Sequence, residues 1–106
     1  MEQKIREAIR DGGSFAESNM RVLIKMHNKG LLKQIVGIEC IPQDDLAINT
    51  YVEEIAVPAA VRTFSRDEKY VGDSFSDSLN AFTLAFSTKL KELLKKATGS
   101  NETQAD

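Results

Sequence analysis

The last quarter of the chain carries the most regular apolar pattern in the sequence. Between Ser74 and Ala97, apolar residues recur at steps of three or four, which is the period of one face of an α-helix. Asp77 stands near the start of this segment and several lysines near its end, where each charge stabilises the helix dipole. The segment therefore predicts a long amphipathic helix with Asp73 or Ser74 as its N-cap. Its apolar positions are Phe75, Leu79, Phe82, Phe86, Leu90, Leu93 and Ala97.

An apolar stripe of this length needs a covering surface from its own chain or from a second one. A heptad frame would place Lys89 and Lys96 in the seam, so a conventional coiled coil is excluded. We expect the helix to pack on a sheet of its own chain or on a partner. The residues that we assign to a partner or dimer helix are Phe75, Leu79, Phe82, Phe86, Leu90 and Leu93.

Residues 20–38 decide the fold class, and they favour a β-hairpin. Residues 20–27 alternate between apolar and polar except at Leu23, as a half-buried strand does. The tripeptide Asn-Lys-Gly at 28–30 has the form of a hairpin loop with glycine in the left-handed position. That loop sets a register whose inner face is apolar at seven of eight positions. The inner pairs are Met26 with Leu32, Ile24 with Gln34, Val22 with Val36, and Met20 with Ile38.

A helix is the competing interpretation of the same residues. Ser14 and Glu17 fit a capping box that would begin a helix running toward Asn28. Such a helix would bury Ser18 and Asn19 beside its apolar residues, and burying unpaired polar groups is unfavourable. The hairpin is therefore preferred.

Shorter helices are predicted before and after this region. Residues 1–11 place three apolar side chains on one side of a helix that the glycine pair at 12–13 should end. An acidic stretch then precedes an apolar stripe that predicts a helix to about Ala56, with a strand as the alternative. The stripe consists of Leu46, Ile48, Val52, Ile55 and Ala56. Pro58 should end that helix and begin another, which stops at Gly72.

These elements predict an α+β fold, with all-α as the alternative class. The order is an N-terminal helix, a β-hairpin, one or two middle helices and a long C-terminal helix. We assign residues 1–97 to a single small globular domain and the polar residues 98–106 to a disordered tail. A lone two-stranded ribbon is marginally stable, so we also expect a homodimer formed through the hairpins or the C-terminal helices.

Reactive side chains are too few to form a recognisable catalytic or metal site. The chain has one histidine, His27, and one cysteine, Cys40. The hairpin register separates them by about 30 Å along the ladder, too far for a thiol–imidazole dyad, and Cys40 is expected to be buried. One histidine and one cysteine cannot supply a structural zinc site, and the glycines match no phosphate loop. We therefore expect no enzymatic activity, no metal and no cofactor.

The sequence also predicts a cytoplasmic protein without membrane contact. No stretch approaches the roughly 20 apolar residues that span a bilayer. Charged residues interrupt the first eleven positions too often for a signal peptide. A single cysteine cannot form an internal disulfide, which fits a reducing compartment.

One face of the predicted hairpin points to a class of ligand. Its outer side is basic, although Leu23 and Ile35 share it and no aromatic residue is present there to stack on bases. The formal charge of the chain, −2, also disfavours a dedicated nucleic-acid binder. Our first hypothesis is a non-catalytic protein–protein interaction module acting as a small cytosolic regulator, adaptor or assembly subunit. The second is nucleic-acid binding through Arg21, Lys25, Lys29 and Lys33.

Overall fold

The computed structural model describes residues 2–72 and 74–97, and every regular element in these two ranges is helical. The helices are α1 (Glu2–Asn28), α2 (Leu32–Ile35), α3 (Asp45–Tyr51), α4 (Val57–Ser65) and α5 (Phe75–Ala97). A π-helical turn (Val52–Ala56) joins α3 to α4 without a break, and a 3₁₀ turn (Glu68–Tyr70) precedes α5. We call the continuous helix from 45 to 65 the return helix. The predicted tail at 98–106 and the candidate cap Asp73 lie outside the described residues.

The two longest helices, α1 and α5, run side by side in the same direction, and the return helix runs back between their ends. In their first halves, α1 and α5 approach each other directly, with Gly12 against Phe82 and Phe86. Toward their C-terminal ends, the return helix contacts both of them: Tyr51 bonds to Asn19 of α1, and Glu53 pairs with Lys91 of α5.

The seam between α1 and α5 is closely packed because α1 presents small residues to it. A Cβ added at Gly12 would lie 2.7 Å from the carbonyl oxygen of Phe82 and 3.0 Å from the Cβ of Ala85. Only glycine lets the two backbones come this close. The buried residues of α1 are Ala8, Gly12, Ala16, Met20 and Leu23, and those of α5 are Ser78, Phe82, Phe86, Leu90 and Leu94.

The predicted β-hairpin is wrong, and with it the α+β class; the all-α alternative fits the structure. Helix α1 runs unbroken to Asn28. Gly30 does take the left-handed conformation, with φ of 73°. The N–H groups of Gly30 and Leu31 donate to the carbonyl oxygens of His27 and Met26, as in a Schellman motif. A left-handed glycine is shared by hairpin loops and helix C-caps, so this signal did not distinguish them.

The expectation that Gly12 and Gly13 end the first helix is also wrong. Each glycine inside a helix lowers its stability by about 1 kcal/mol relative to alanine. At Gly12 this loss is offset by the close approach of α5, whereas a Cβ at Gly13 would meet nothing within 4 Å. A contact 70 or more residues away in sequence thus keeps α1 continuous.

The polar residues that argued against a long α1 are accommodated individually. Asn19 is half-buried and accepts a hydrogen bond of 2.7 Å from the hydroxyl of Tyr51. Ser18 is exposed and accepts a hydrogen bond from Arg21. Neither side chain is therefore left as a buried group without a partner.

The return helix begins where the acidic stretch predicted a helix, but it does not end at Pro58. The carboxylate of Asp44 caps its start by accepting from the N–H of Ala47. The N–H of Val57 bonds to the carbonyl of Val52, five residues back, immediately before the proline. This widened turn gives the proline ring room beside the preceding turn, so the helix continues through Pro58. The helix then ends at Ser65, before the predicted stop at Gly72.

Candidate interaction groove

The apolar residues predicted for a partner or dimer helix lie mostly inside this chain. Phe82, Phe86 and Leu90 are buried in the core. Phe75, Leu79 and Leu93 are partly buried and pack against that core. Helix α1 and the return helix, whose Phe64 packs on Phe75 and Phe82, therefore cover the stripe that had suggested a second chain. Both grounds for expecting a homodimer, a lone ribbon and an uncovered stripe, are absent from the described structure.

The four basic residues predicted for a ligand face are all exposed, but they are arranged by helices. Arg21 and Lys25 lie one turn apart on α1, and Lys29 follows in the turn after it. Lys33, on α2, forms an ion pair of 2.7 Å with Glu39. Arg21 donates to the hydroxyl of Ser18 at 3.1 Å. The basic stripe therefore follows the last two turns of α1, and Lys33 is locally neutralised.

Cys40 is exposed, so the expectation that it is buried is wrong. It lies in the loop between α2 and α3, whereas His27 lies at the exposed end of α1. The calculated separation of these two residues depended on a strand ladder and has no basis in a helical chain. Within residues 2–72 and 74–97, no three histidine, cysteine or acidic side chains converge as a metal site would require.

The most prominent surface feature is a groove between α1 and the return helix. Both helices pack on α5, but their backbones make few close approaches to each other. Two depressions, of about 310 and 220 Å³, lie in this gap, and a third of about 580 Å³ continues it between the return helix and the loop that precedes it. The 220 Å³ depression shares lining residues with each of the other two. We call them together the interhelical groove. Its lining includes Phe15, Asn19, Val22, Ile35, Tyr51, Ile55, Ala56, Ala59, Ala60 and Phe86, with residues 38–47 at the wide end.

Large apolar side chains are exposed along this groove. Val22 and Ile55 line it from the two facing helices, and Ile35 of α2 lines the same depression with an exposure of 62%. Leu46 lies at the wide end with an exposure of 77%. Four exposed apolar residues of one small domain thus share one concave surface. Contiguous exposed apolar surface of this kind is typical of a binding site.

Small residues keep the middle of the groove open. Ala56, Ala59 and Ala60 form the wall contributed by the return helix, and Phe86 of α5 lies at the floor. The hydrogen bond between Tyr51 and Asn19 crosses the groove and holds its two sides in place. Burial raises the pKa of Tyr51, and the bond to Asn19 partly opposes that rise. The Tyr51 hydroxyl therefore stays protonated and keeps donating across the groove at neutral pH.

A second polar fastening ties α1 to the segment that leads into α5. The hydroxyl of Tyr70 donates to Asp11 at 2.6 Å, and the ammonium of Lys69 lies 3.0 Å from the same carboxylate oxygen. Burial acts to raise the pKa of Asp11, but the bonds from Tyr70 and Lys69 outweigh it and lower that pKa. Burial and the bond to Asp11 both raise the pKa of Tyr70. These side chains fix the first half of α1 to the segment before α5.

Comparison with known proteins gives no starting point for the function. The chain matches no protein-family model, no curated protein and no solved structure. Among the described residues, no helix has the length and apolar character needed to cross a bilayer. The groove and the basic stripe beside it are therefore the features of the molecule that point to a function.

Proposed function

We propose that this chain is a non-catalytic protein–protein interaction module that binds its partner in the interhelical groove. The observation that carries the proposal is the concentration of exposed apolar side chains along one concave surface. When another apolar surface covers exposed apolar area of this kind, both surfaces are removed from water and the free energy falls. In this role the chain acts as a small regulator, adaptor or assembly subunit.

The well-packed residues around the groove support a role in recognition and argue against a packing defect. The core beneath it is complete, because Ile48, Val52 and Phe86 are all nearly fully buried. Of the two helices that border it, the return helix begins at the N-cap Asp44 and α1 ends at the C-cap turn of Gly30. The open surface therefore lies on a well-packed scaffold, as binding sites usually do.

We place this activity in the cytoplasm. An exposed cysteine without a disulfide partner in its own chain is compatible with a reducing compartment.

The experiment that tests the proposal compares captured proteins across three baits. The wild-type chain, Ala59→Trp and Leu84→Trp are immobilised and exposed to the same extract of the source cells. Ala59 lines two of the three depressions, and an indole there would fill the middle of the groove. Leu84 is also exposed on a helix but lies outside the groove lining, so its variant is the matched control.

We expect a protein that the wild-type and Leu84→Trp baits capture and that Ala59→Trp loses. Quantitative mass spectrometry measures the difference. Circular dichroism and urea unfolding of each bait establish that all three are folded. An identical set of captured proteins on the three baits would contradict the groove as the binding site.

Nucleic-acid binding is the second candidate, because α1 and its following turn place Arg21, Lys25 and Lys29 one after another on an exposed surface. It predicts that affinity for DNA or RNA falls steeply between low and physiological salt and weakens on Lys25→Ala with Lys33→Ala. The absence of binding at low salt would eliminate it.

A further inference from the structure

We propose that the occupant of the interhelical groove is an amphipathic α-helix of a different protein, with acidic residues along one edge. This inference rests on the proposed function and adds the class of partner. It follows from the shape of the groove, the distribution of charge on its α1 rim and the apolar residues that the rest of the chain exposes.

The shape of the groove fits a helix. It lies between two helices that rest on a third, which is the arrangement of a four-helix bundle that lacks one member. Its lining follows the return helix from Leu46 to Thr63, which is about 25 Å at the rise of an α-helix. The opposite wall is α1 beside residues 51–63 and the loop at 38–44 beside residues 46–50. The alanines at 56, 59 and 60 permit a close approach of an incoming backbone. A partner helix of about 17 residues would fill this length.

The apolar lining matches the spacing of such a helix. Val22, Ile55 and Ile35 line the same depression and lie on α1, the return helix and α2 respectively. A helix in the groove would meet these walls with apolar residues at steps of three or four along one face. The opposite face of that helix would stay in water.

Charge on the α1 rim sets the preferred edge of the partner. Ser18 lines the groove and holds the guanidinium of Arg21 at its rim through a hydrogen bond of 3.1 Å. Lys25 lies seven residues after Ser18, so it falls on the same face of α1. Lys29 follows in the turn after α1 and adds to the positive charge at this end of the helix. An incoming helix with glutamate or aspartate along the facing edge is complementary to these cations.

A second copy of the chain is a poorer occupant. The exposed large apolar residues outside the groove are Ile9, Ile24, Val71 and Leu84. Among the described residues they do not form a stripe on any one helix, since Ile9 and Ile24 are 15 positions apart on α1 and the others lie on separate segments. No described helix of this chain therefore presents the uncovered apolar face that the groove would take.

The test uses two designed peptides of about 18 residues as probes. Both carry leucines at helical spacing along one face; one has glutamates along one flank, and the other has lysines at the same positions. Fluorescence anisotropy measures their binding to the wild-type chain and to two pairs of variants. Arg21→Glu with Lys25→Glu reverses the charge of the α1 rim of the groove. Arg10→Glu with Lys96→Glu makes the same change in net charge at exposed sites outside the lining.

We expect the glutamate peptide to bind the wild-type chain at least about ten-fold more tightly than the lysine peptide. The Arg21 and Lys25 pair should reverse this preference, and the Arg10 and Lys96 pair should preserve it. Ala59→Trp should abolish binding of both peptides. Ile35→Glu, an exposed change in the depression that Val22 and Ile55 line, provides a second disruption in case the tryptophan variant fails to fold.

Equal binding of the two peptides, or tighter binding of the lysine peptide, would overturn the acidic-edge partner. A doubled mass in sedimentation that Ala59→Trp returns to one chain would make a second copy the occupant. A single-stranded oligonucleotide that displaces the glutamate peptide and itself binds more tightly would favour nucleic acid. If neither peptide binds while captured proteins still depend on Ala59, this inference fails and the proposed function stands; if capture is unaffected by Ala59→Trp, the proposed function fails.

Discussion

Helix α1 has two contrasting sides: one packs against α5, and the other faces the return helix across the groove. Small residues have opposite consequences at these two interfaces. On the α5 side, Gly12 is small because a neighbouring backbone occupies the space that a side chain would need. Across the groove, Ala59 is small and the space in front of it is open. The first arrangement closes a seam between two helices, and the second leaves room for another molecule.

The residues beside these two positions differ in the same way. The seam buries Ala8, Ala16 and Leu23 almost completely, whereas the groove leaves Val22 about half exposed. Val22 and Leu23 are adjacent in sequence, so the difference arises from which way each points on one helix. The seam side of α1 therefore belongs to the core, whereas the groove side leaves apolar surface exposed.

The largest effect on stability should come from adding a methyl group at the closed seam. Gly12→Ala places a Cβ against Phe82 and Phe86, whose backbone atoms cannot move aside as a flexible side chain could. We expect the free energy of unfolding to fall by about 2–3 kcal/mol. Urea denaturation followed by circular dichroism measures this change.

Gly13→Ala is the matched control for that substitution. A Cβ at Gly13 meets nothing within 4 Å, so alanine should raise the free energy of unfolding by about 0.5–1 kcal/mol through its higher helix propensity. If Gly12→Ala behaved like Gly13→Ala, the seam would not be closed as described.

A buried hydroxyl in α5 offers a way to strengthen the core on the seam side. Ser78 is fully buried, and its hydroxyl has no hydrogen-bond partner among the residues that the structure describes. Ser78→Ala removes this unpaired polar group, so the free energy of unfolding should rise by about 1 kcal/mol. Ser76→Ala, an exposed change on the same helix, should have a smaller effect that reflects helix propensity alone. A loss of stability in Ser78→Ala would show that its hydroxyl has a native partner.

The Asp11 fastening should make stability depend on pH. Because the folded state holds the pKa of Asp11 below its ordinary value of 3.8, the ionised carboxylate stabilises the fold above that pH and loses this contribution as the pH falls through the folded pKa. Asp11→Asn should therefore lower the free energy of unfolding by about 0.5–1 kcal/mol at neutral pH, and the difference from wild type should vanish in acid. Urea titrations across pH measure it. Glu17→Gln, an exposed change on the same helix, should follow the wild-type curve; a constant Asp11→Asn deficit at all pH values would contradict the assignment.

Groove substitutions should change stability least. Leu46 is mostly exposed, so Leu46→Ser should alter the free energy of unfolding by less than about 0.5 kcal/mol. The same substitution should weaken capture of a partner, whereas Leu84→Ser should leave capture unchanged. A large loss of stability in Leu46→Ser would mean that the groove belongs to the core and not to a binding surface.

Local sequence patterns predicted the elements that a single helix face can determine. The helix α5 and its apolar face with Phe82, Phe86 and Leu90 were predicted because an amphipathic stripe is a property of one segment; that α1 and the return helix of the same chain cover this face was not. The length of α1 was not, because it depends on contacts with distant residues: α5 against Gly12, and Tyr51 against Asn19. Gly30 gave a local signal that a hairpin loop and a helix cap share.

The groove was missed for a related reason. Leu46 and Ile55 were assigned to the buried stripe of the middle helix, but they are exposed. Residues 48, 52 and 56 step by four and are buried, and Leu46 and Ile55 fall outside that series. This mismatch was the available signal. The arrangement of α1 opposite the return helix, which turns these side chains into one surface, is a tertiary property.

The most direct test uses methyl groups that the chain already provides in two sets. The exposed groove methyls belong to Val22, Ile35, Leu46 and Ile55, and the exposed methyls elsewhere belong to Ile9, Ile24, Val71 and Leu84. Methyl NMR spectra are recorded as a protein captured by the wild-type bait is added. We predict shifts or broadening concentrated in the groove set, with the other set nearly unchanged. Changes confined to Ile9, Ile24, Val71 and Leu84 would contradict the interhelical groove as the site of recognition.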